Sequence, residues 1–166
     1  LYLGTYVVKE TVRNNNYTLS TKEYKVEVKD EDKATTPVIL DATNTPVMKK
    51  VQVTKIDAVS GNHCGAGYKF KIVAVADVLD GSGNVYEGYE KGAVVDTIVT
   101  GEDGIATSKP LYMGSYYIQE VEVPDGNGML INTEKYPFVL RDTKGKDGSL
   151  DDIKDTDEPM VVKIDD

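Results

Sequence analysis

Residues 112–120 read YMGSYYIQE, and residues 2–10 read YLGTYVVKE. The two copies share Tyr, Gly, Tyr and Glu at matching positions, 110 residues apart (112 minus 2). Self-similarity at a fixed offset marks a chain built from repeats. Each copy alternates as a strand does, so Tyr116, Ile118 and Glu120 share one face, and Tyr6, Val8 and Glu10 share the matching one. A glutamate on an otherwise apolar strand face is costly to bury alone, and it recurs in both copies. That glutamate requires a partner.

Composition narrows the classes. The 166 residues carry a formal net charge of −9, which argues against a binder of nucleic-acid phosphates. Eleven Tyr against two Phe and no Trp, with abundant Val and Thr, lean toward strands. A single cysteine, Cys64, excludes an internal disulfide framework. A single histidine, His63, excludes His-rich metal sites and the usual triads. No apolar run is long enough to span a membrane, so no membrane insertion is expected in this stretch of chain.

In chain order, residues 2–11 and 24–28 alternate as strands about a turn at the asparagine run 14–16, and residues 38–44 (VILDATN) read as a third strand that Pro46 ends. Residues 47–50 read as a linker. A new unit opens at residues 51–57 (VQVTKID), in which Val51, Val53 and Lys55 share a face. Lys55 therefore falls where a hydrophobe belongs, either with its stem buried and its ammonium reaching the edge or as part of a site. Strands follow at 68–76, 94–100, 112–120 and 136–140, separated by turn signals at 80–84 (DGSGN), 102–104 (EDG) and 124–126 (PDG).

The close of the chain repeats its middle. Asn44-Thr45-Pro46 is echoed by Asp157-Glu158-Pro159, and residues 53–57 (VTKID) by 161–165 (VVKID). The organisation expected is therefore 1–46, the C-terminal part of one repeat; 47–50, a linker; 51–160, a complete repeat; and 161–166, the start of another. Short strands with turn signals and no helical periodicity indicate all-β sandwiches in tandem.

Within the complete repeat, Lys55 opens the first strand, Glu120 lies late, and Asp157 stands where the last strand should end. Asn44 is the equivalent of Asp157 in the preceding repeat. Desolvation favours the neutral forms of amine and carboxyl, which makes an amine nucleophilic and lets a carboxyl polarise a carbonyl and carry protons. An Asp or Asn side chain placed between them yields a Lys–Asp or Lys–Asn isopeptide bond, with loss of water or ammonia.

These residues resemble the Cna-B type, prealbumin-like repeat domains of Gram-positive adhesins and SpaA-type pilins. The matching pieces are VQVTKID at 51–57, CGAGYKF at 64–70, TGEDGIAT at 100–107, YMGSYYIQE at 112–120 and PDG at 124–126. The resemblance implies tandem Ig-like or prealbumin-like β-sandwiches with an autocatalytic cross-link between Lys55 and Asp157, assisted by Glu120 as the catalytic carboxyl. Glu10 and Asn44 are the partial-repeat equivalents, and Lys163 opens the third. Asp157 departs from the more frequent Asn, and Asp155 is a second acceptor to weigh. The implied setting is extracellular, on a cell-wall-anchored surface protein or pilus, with neighbouring repeats or pilus subunits as partners and no cofactor.

The rival is a binding module in which Tyr86 and Tyr89, exposed in the loop 78–92, contact a host protein or glycan. A calcium loop at 142–152 is disfavoured, because Lys144 and Lys146 stand where oxygen ligands belong. His63 with Cys64 supplies too few ligands for zinc. An enzyme acting on an outside substrate is the least favoured class: no nucleophile with its base, phosphate loop or metal cluster is visible. The only chemistry expected is internal and single-turnover.

Overall fold

A computed structural model describes residues 1–31, 37–126, 128–142 and 160–165. They fall into two compact units, Leu1–Pro46 and Val47–Asp142 together with 160–165. Among the described residues no helix is long and apolar enough to cross a membrane.

In the first unit, β1 (Gly4–Lys9) and β2 (Glu23–Val28) pair antiparallel, with Tyr6 opposite Val26 and Val8 opposite Tyr24. Alternation holds on β2, where Tyr24, Val26 and Val28 are half-buried and their neighbours exposed. The expected turn at 14–16 forms, and Asn16 takes φ 65° there, a conformation that Asn tolerates better than most residues. Residues 38–44 do not form the expected strand. A strand is held by the neighbour that takes its hydrogen bonds, and in this region the pairings described are Tyr17 with Pro46 and Thr18 N–H to Thr45 O.

The second unit is a β-sandwich. It contains β3 (Met48–Lys49), β4 (Val51–Ile56), β5 (Lys69–Ala74), β6 (Val94–Val99), β7 (Ile105–Thr107), β8 (Leu111–Tyr112), β9 (Gly114–Glu122), β10 (Tyr136–Leu140) and β11 (Met160–Asp165). One sheet has the order β10-β9-β5-β6, a second β11-β4-β7, and β3 pairs with β8. Val51, Val53 and Ile164 of the second sheet share one core with Phe70, Ile72, Tyr116, Ile118 and Phe138 of the first. Val, Ile and aromatic residues at every second position supply these inward faces.

Two stretches read from sequence as a linker and as the opening of a following repeat form strands that pair within this unit. Residues 48–49, within the expected linker, form β3 of this unit. Residues 160–165, expected to open a following repeat, run parallel to β4 with Val162 opposite Val53 and Ile164 opposite Lys55. VVKID has the same alternation as VTKID, so it suits a second strand of the same sheet as well as a first strand of the next. The two motifs pair one residue out of step. Matching lysine to lysine would turn both inward, whereas the one-residue slip exposes Lys163 and buries Ile164 completely.

Candidate functional site

The site lies between the two sheets, where β4 delivers Lys55 and β9 delivers Glu120. Alternation on β4 directs Val51, Val53 and Lys55 inward, and all three are fully buried. Loops hold the lysine's backbone: its N–H donates to Gly104 O at 3.0 Å, and its carbonyl accepts from Cys64 N–H at 2.9 Å. Gly104 has φ +72°, and a Cβ there would lie 2.0 Å from Cys64 O, so the EDG turn requires glycine. The sequence reading saw only a hairpin signal there.

Glu120 follows Tyr116 and Ile118 on the inward face of β9, opposite Phe70 of β5. Its Oε1 lies 3.3 Å from Lys55 Nζ, and neither side chain has any exposed surface. Its Oε2 accepts the backbone N–H of Asn132 at 2.8 Å. The lysine ammonium also stands 5.6 Å from the centre of the buried Tyr68 ring. The reading in which Lys55 reaches out to solvent is thereby excluded.

The first unit repeats half of this arrangement. Glu10 Oε2 accepts the backbone N–H of Ser20 at 2.6 Å, and Glu10 Oε1 accepts from Asn44 Nδ2 at 2.7 Å. The framework is repeated too. Tyr6 OH donates to Tyr2 O, and Tyr116 OH to Tyr112 O, each at 2.7 Å. Tyr6 opposite Val26 corresponds to Tyr116 opposite Phe138.

The structure thus brings together Lys55 with Glu120, and Glu10 with Asn44. Asp157 and its alternative Asp155 lie outside the described residues, as do residues 143–152 of the charged loop. Lys163 faces solvent opposite Thr54. Sequence reasoning missed Ser20, Asn132 and Tyr68. The first two were legible as a spacing: Ser20 and Tyr24 recur as Asn132 and Tyr136, at an offset of 112 (132 minus 20).

The loop tyrosines are not an exposed pair. Tyr89 is buried, and Tyr86 is half-buried and stacked on Tyr112 with ring centres 3.7 Å apart and planes 4° from parallel. Tyr89 meets the same ring edge-on at 4.9 Å, and burial raises its phenol pKa. The loop 78–92 folds its aromatic groups onto the sandwich, because each buries a large apolar area there. Among the described residues no group of three His, Cys, Asp or Glu side chains is placed to hold a metal ion. His63 Nδ1 is instead engaged with Asp103 O at 2.9 Å.

A buried lysine against a carboxyl in a two-sheet β-sandwich can be compared with known proteins. Residues 49–155, which are 107 of 166, match the SpaA prealbumin-like fold domain. The chain belongs to this family. The SpaA-type match spans β4 to β10 of the second unit and both Lys55 and Glu120, and the Cna-B resemblance of the sequence agrees with it. The TIE protein of Bacillus anthracis is similar over 99% of the chain, with 25% identity and a TM-score of 0.63; the match covers 25% of that protein. The group B streptococcus pilus 2b backbone protein is 21% identical, with 86% of this chain and 47% of that one covered at a TM-score of 0.47. The streptococcal ancillary pilin is 23% identical, with 99% and 42% covered at a TM-score of 0.41. The chain spans a quarter to just under half of these proteins' lengths. No curated protein sequence matches it significantly. Its second unit has the prealbumin-like fold of that family.

Proposed function

We propose that this chain is a module of a Gram-positive surface stalk or pilus shaft whose second unit is locked by an autocatalytic isopeptide bond between Lys55 and Asp157. The observation that carries this reading is the fully buried Lys55 Nζ at 3.3 Å from Glu120 Oε1. A buried lysine–glutamate pair is a weak way to gain stability, since desolvation cancels much of the attraction. A chemical role accounts for keeping both groups in a core otherwise built mainly of aliphatic and aromatic side chains.

In the reaction, Nζ attacks Cγ of the acceptor carboxyl. Glu120 takes the proton released by the amine and returns it to the leaving hydroxyl. One C–N bond forms, one C–O bond breaks and one water leaves, with no change of oxidation state. The bond would close a loop of about 100 residues and restrict the unfolded chain by roughly 4–5 kcal/mol, by analogy with a long-loop disulfide. Under tension it would carry force covalently in a domain without a disulfide.

Ile164 is the register neighbour of Lys55 on β11. The proposal places the acceptor segment beside β4 once the bond has formed, in exchange for residues 160–165. Glu10 and Asn44 are the corresponding carboxyl and acceptor of the first unit, where the leaving group would be ammonia. Lys163 is proposed as the opening lysine of a further repeat. The setting is outside the cell, at the bacterial surface, with neighbouring repeats or pilus subunits as partners. The division into 1–46, 51–160 and 161–166 as successive repeat segments belongs to the same proposal.

Intact mass of the purified, denatured chain tests the reading. A mass one water short of the sequence, restored to full by Lys55→Ala, is the expected result. A full mass in the unaltered chain removes the cross-link from this unit.

A further inference from the structure

Each glutamate is gripped in the same way. One oxygen, Oε2, accepts a backbone N–H from the loop preceding the next strand: Asn132 for Glu120 at 2.8 Å, Ser20 for Glu10 at 2.6 Å. The other oxygen, Oε1, faces a nitrogen: Lys55 Nζ at 3.3 Å in the second unit, Asn44 Nδ2 at 2.7 Å in the first. The donor lies twelve residues after the glutamate in one case (132 minus 120) and ten in the other (20 minus 10). The same bond thus forms across a glutamate-to-donor spacing that differs by two residues (12 minus 10).

The donor's side chain fixes its own peptide. Asn132 Oδ1 accepts the N–H of Glu134 at 2.9 Å, and Ser20 Oγ accepts the N–H of Lys22 at 3.3 Å, the same two-residue step. Side chains of this kind hold turns by such bonds. Asn132 Nδ2 also donates to Tyr136 OH at 2.9 Å, tying the loop to β10.

We infer that the backbone N–H of Asn132 is a positioning group for the cross-linking reaction: it holds Oε2 of Glu120 and confines proton transfer to Oε1, and Ser20 does the same for Glu10. This rests on the isopeptide reading above. With Oε2 engaged by that N–H, Oε1 is the oxygen that faces the amine and receives its proton. The two units together place both an amine nitrogen and an acceptor-amide nitrogen against that one oxygen. A single atom can then take the proton from the nucleophile and return it to the leaving group without rotation of the carboxyl.

The test follows water loss by mass after refolding from denaturant, in the full chain. Asn132→Ala, which removes the turn-holding acceptor, should slow the loss about tenfold, the equivalent of about 1.4 kcal/mol. Asn132→Ser, which supplies the group found at residue 20, should restore it. Replacing the amide at 132 by an ester removes the N–H and leaves every side chain in place. It should slow the loss similarly and move the acid side of the rate–pH profile upward, because an N–H on the carboxylate favours its charged form. Among the described residues, the titratable groups about this carboxyl include Lys55 from β4, Tyr68 beside its ammonium and, through Asn132, Tyr136 and Glu134, and all are retained in the ester chain. An ester chain that reacts at the unaltered rate with an unshifted profile overturns the positioning role while the cross-link stands. An unaltered chain that never loses water overturns the cross-link, and the positioning role with it.

Discussion

Lys55 Nζ lies 3.3 Å from Glu120 Oε1 with both side chains wholly inside the sandwich. Each group is the other's charge partner, so removing one leaves the other buried and uncompensated. In chain that has not cross-linked, Glu120→Ala should cost about 3–5 kcal/mol in urea unfolding. The double change Lys55→Met with Glu120→Leu should cost less than Glu120→Ala alone. Additive losses in the two positions would show that the groups do not act as a pair.

Tyr116 is fully buried, and its phenol pKa is raised well above the usual value by desolvation, with Tyr89 adding to the effect. The unfolded chain ionises this phenol near pH 10, about its ordinary value, while the folded chain keeps it neutral. Its contribution to stability is therefore complete below pH 10 and is lost as the pH rises from there through the folded value. Tyr116→Phe should flatten the alkaline fall in melting temperature. Below pH 9 the same change should cost about 1 kcal/mol for the lost bond to Tyr112 O. An unchanged alkaline slope in the Phe variant would refute the assignment.

Gly104 separates two effects that glycines share. Gly83 has φ +87° with open space around it, whereas Gly104 has φ +72° and Cys64 O where a Cβ would be. Gly83→Ala should cost about 1–2 kcal/mol, the ordinary expense of a left-handed residue. Gly104→Ala should cost clearly more and should also slow cross-linking, because the Gly104 carbonyl holds the Lys55 backbone. Equal melting temperatures for the two variants would contradict this.

Ile164 tests which strand belongs beside β4. It is fully buried opposite Lys55. In chain without the cross-link, Ile164→Ala should cost about 2–5 kcal/mol, as large-to-small changes in cores do. In cross-linked chain, where the acceptor segment takes its place, the same change should cost little. A small loss in both states would mean that residues 160–165 are not part of this unit's core.

Tyr86 stacked on Tyr112 offers a last comparison. Tyr86→Ala should lower stability by about 0.5–1.5 kcal/mol beyond the area it uncovers. If it abolished capture of a host protein or glycan without lowering stability, a binding role for this loop would follow instead.

Much of this was legible in the residues. Strict alternation in VQVTKID and YMGSYYIQE sends Lys55 and Glu120 to inward faces, because strand geometry has period two whatever surrounds it. The repeated Tyr, Gly and Glu positions likewise gave the duplication, down to the tyrosine hydroxyl bonds of residues 6 and 116. Loop aromatics were less legible, since nothing local tells whether Tyr89 faces water or a neighbouring sheet. Residues 38–44 alternate well and still form no strand, for a ladder needs a partner that the segment's own sequence does not name.

The sequence by itself determined the sandwich class, the likeness of residues 2–10 to 112–120 and the strand faces that carry Lys55 and Glu120, all of which follow from local period and turn chemistry. Only the tertiary structure decided that Lys55 and Glu120 meet at 3.3 Å, that Asn132 and Ser20 hold the far oxygen of each carboxyl, and that residues 160–165 lie beside β4. The physical reason is that these depend on which strands become neighbours and in what register. A one-residue slip exchanges every inward side chain for an outward one without altering the pattern along the chain.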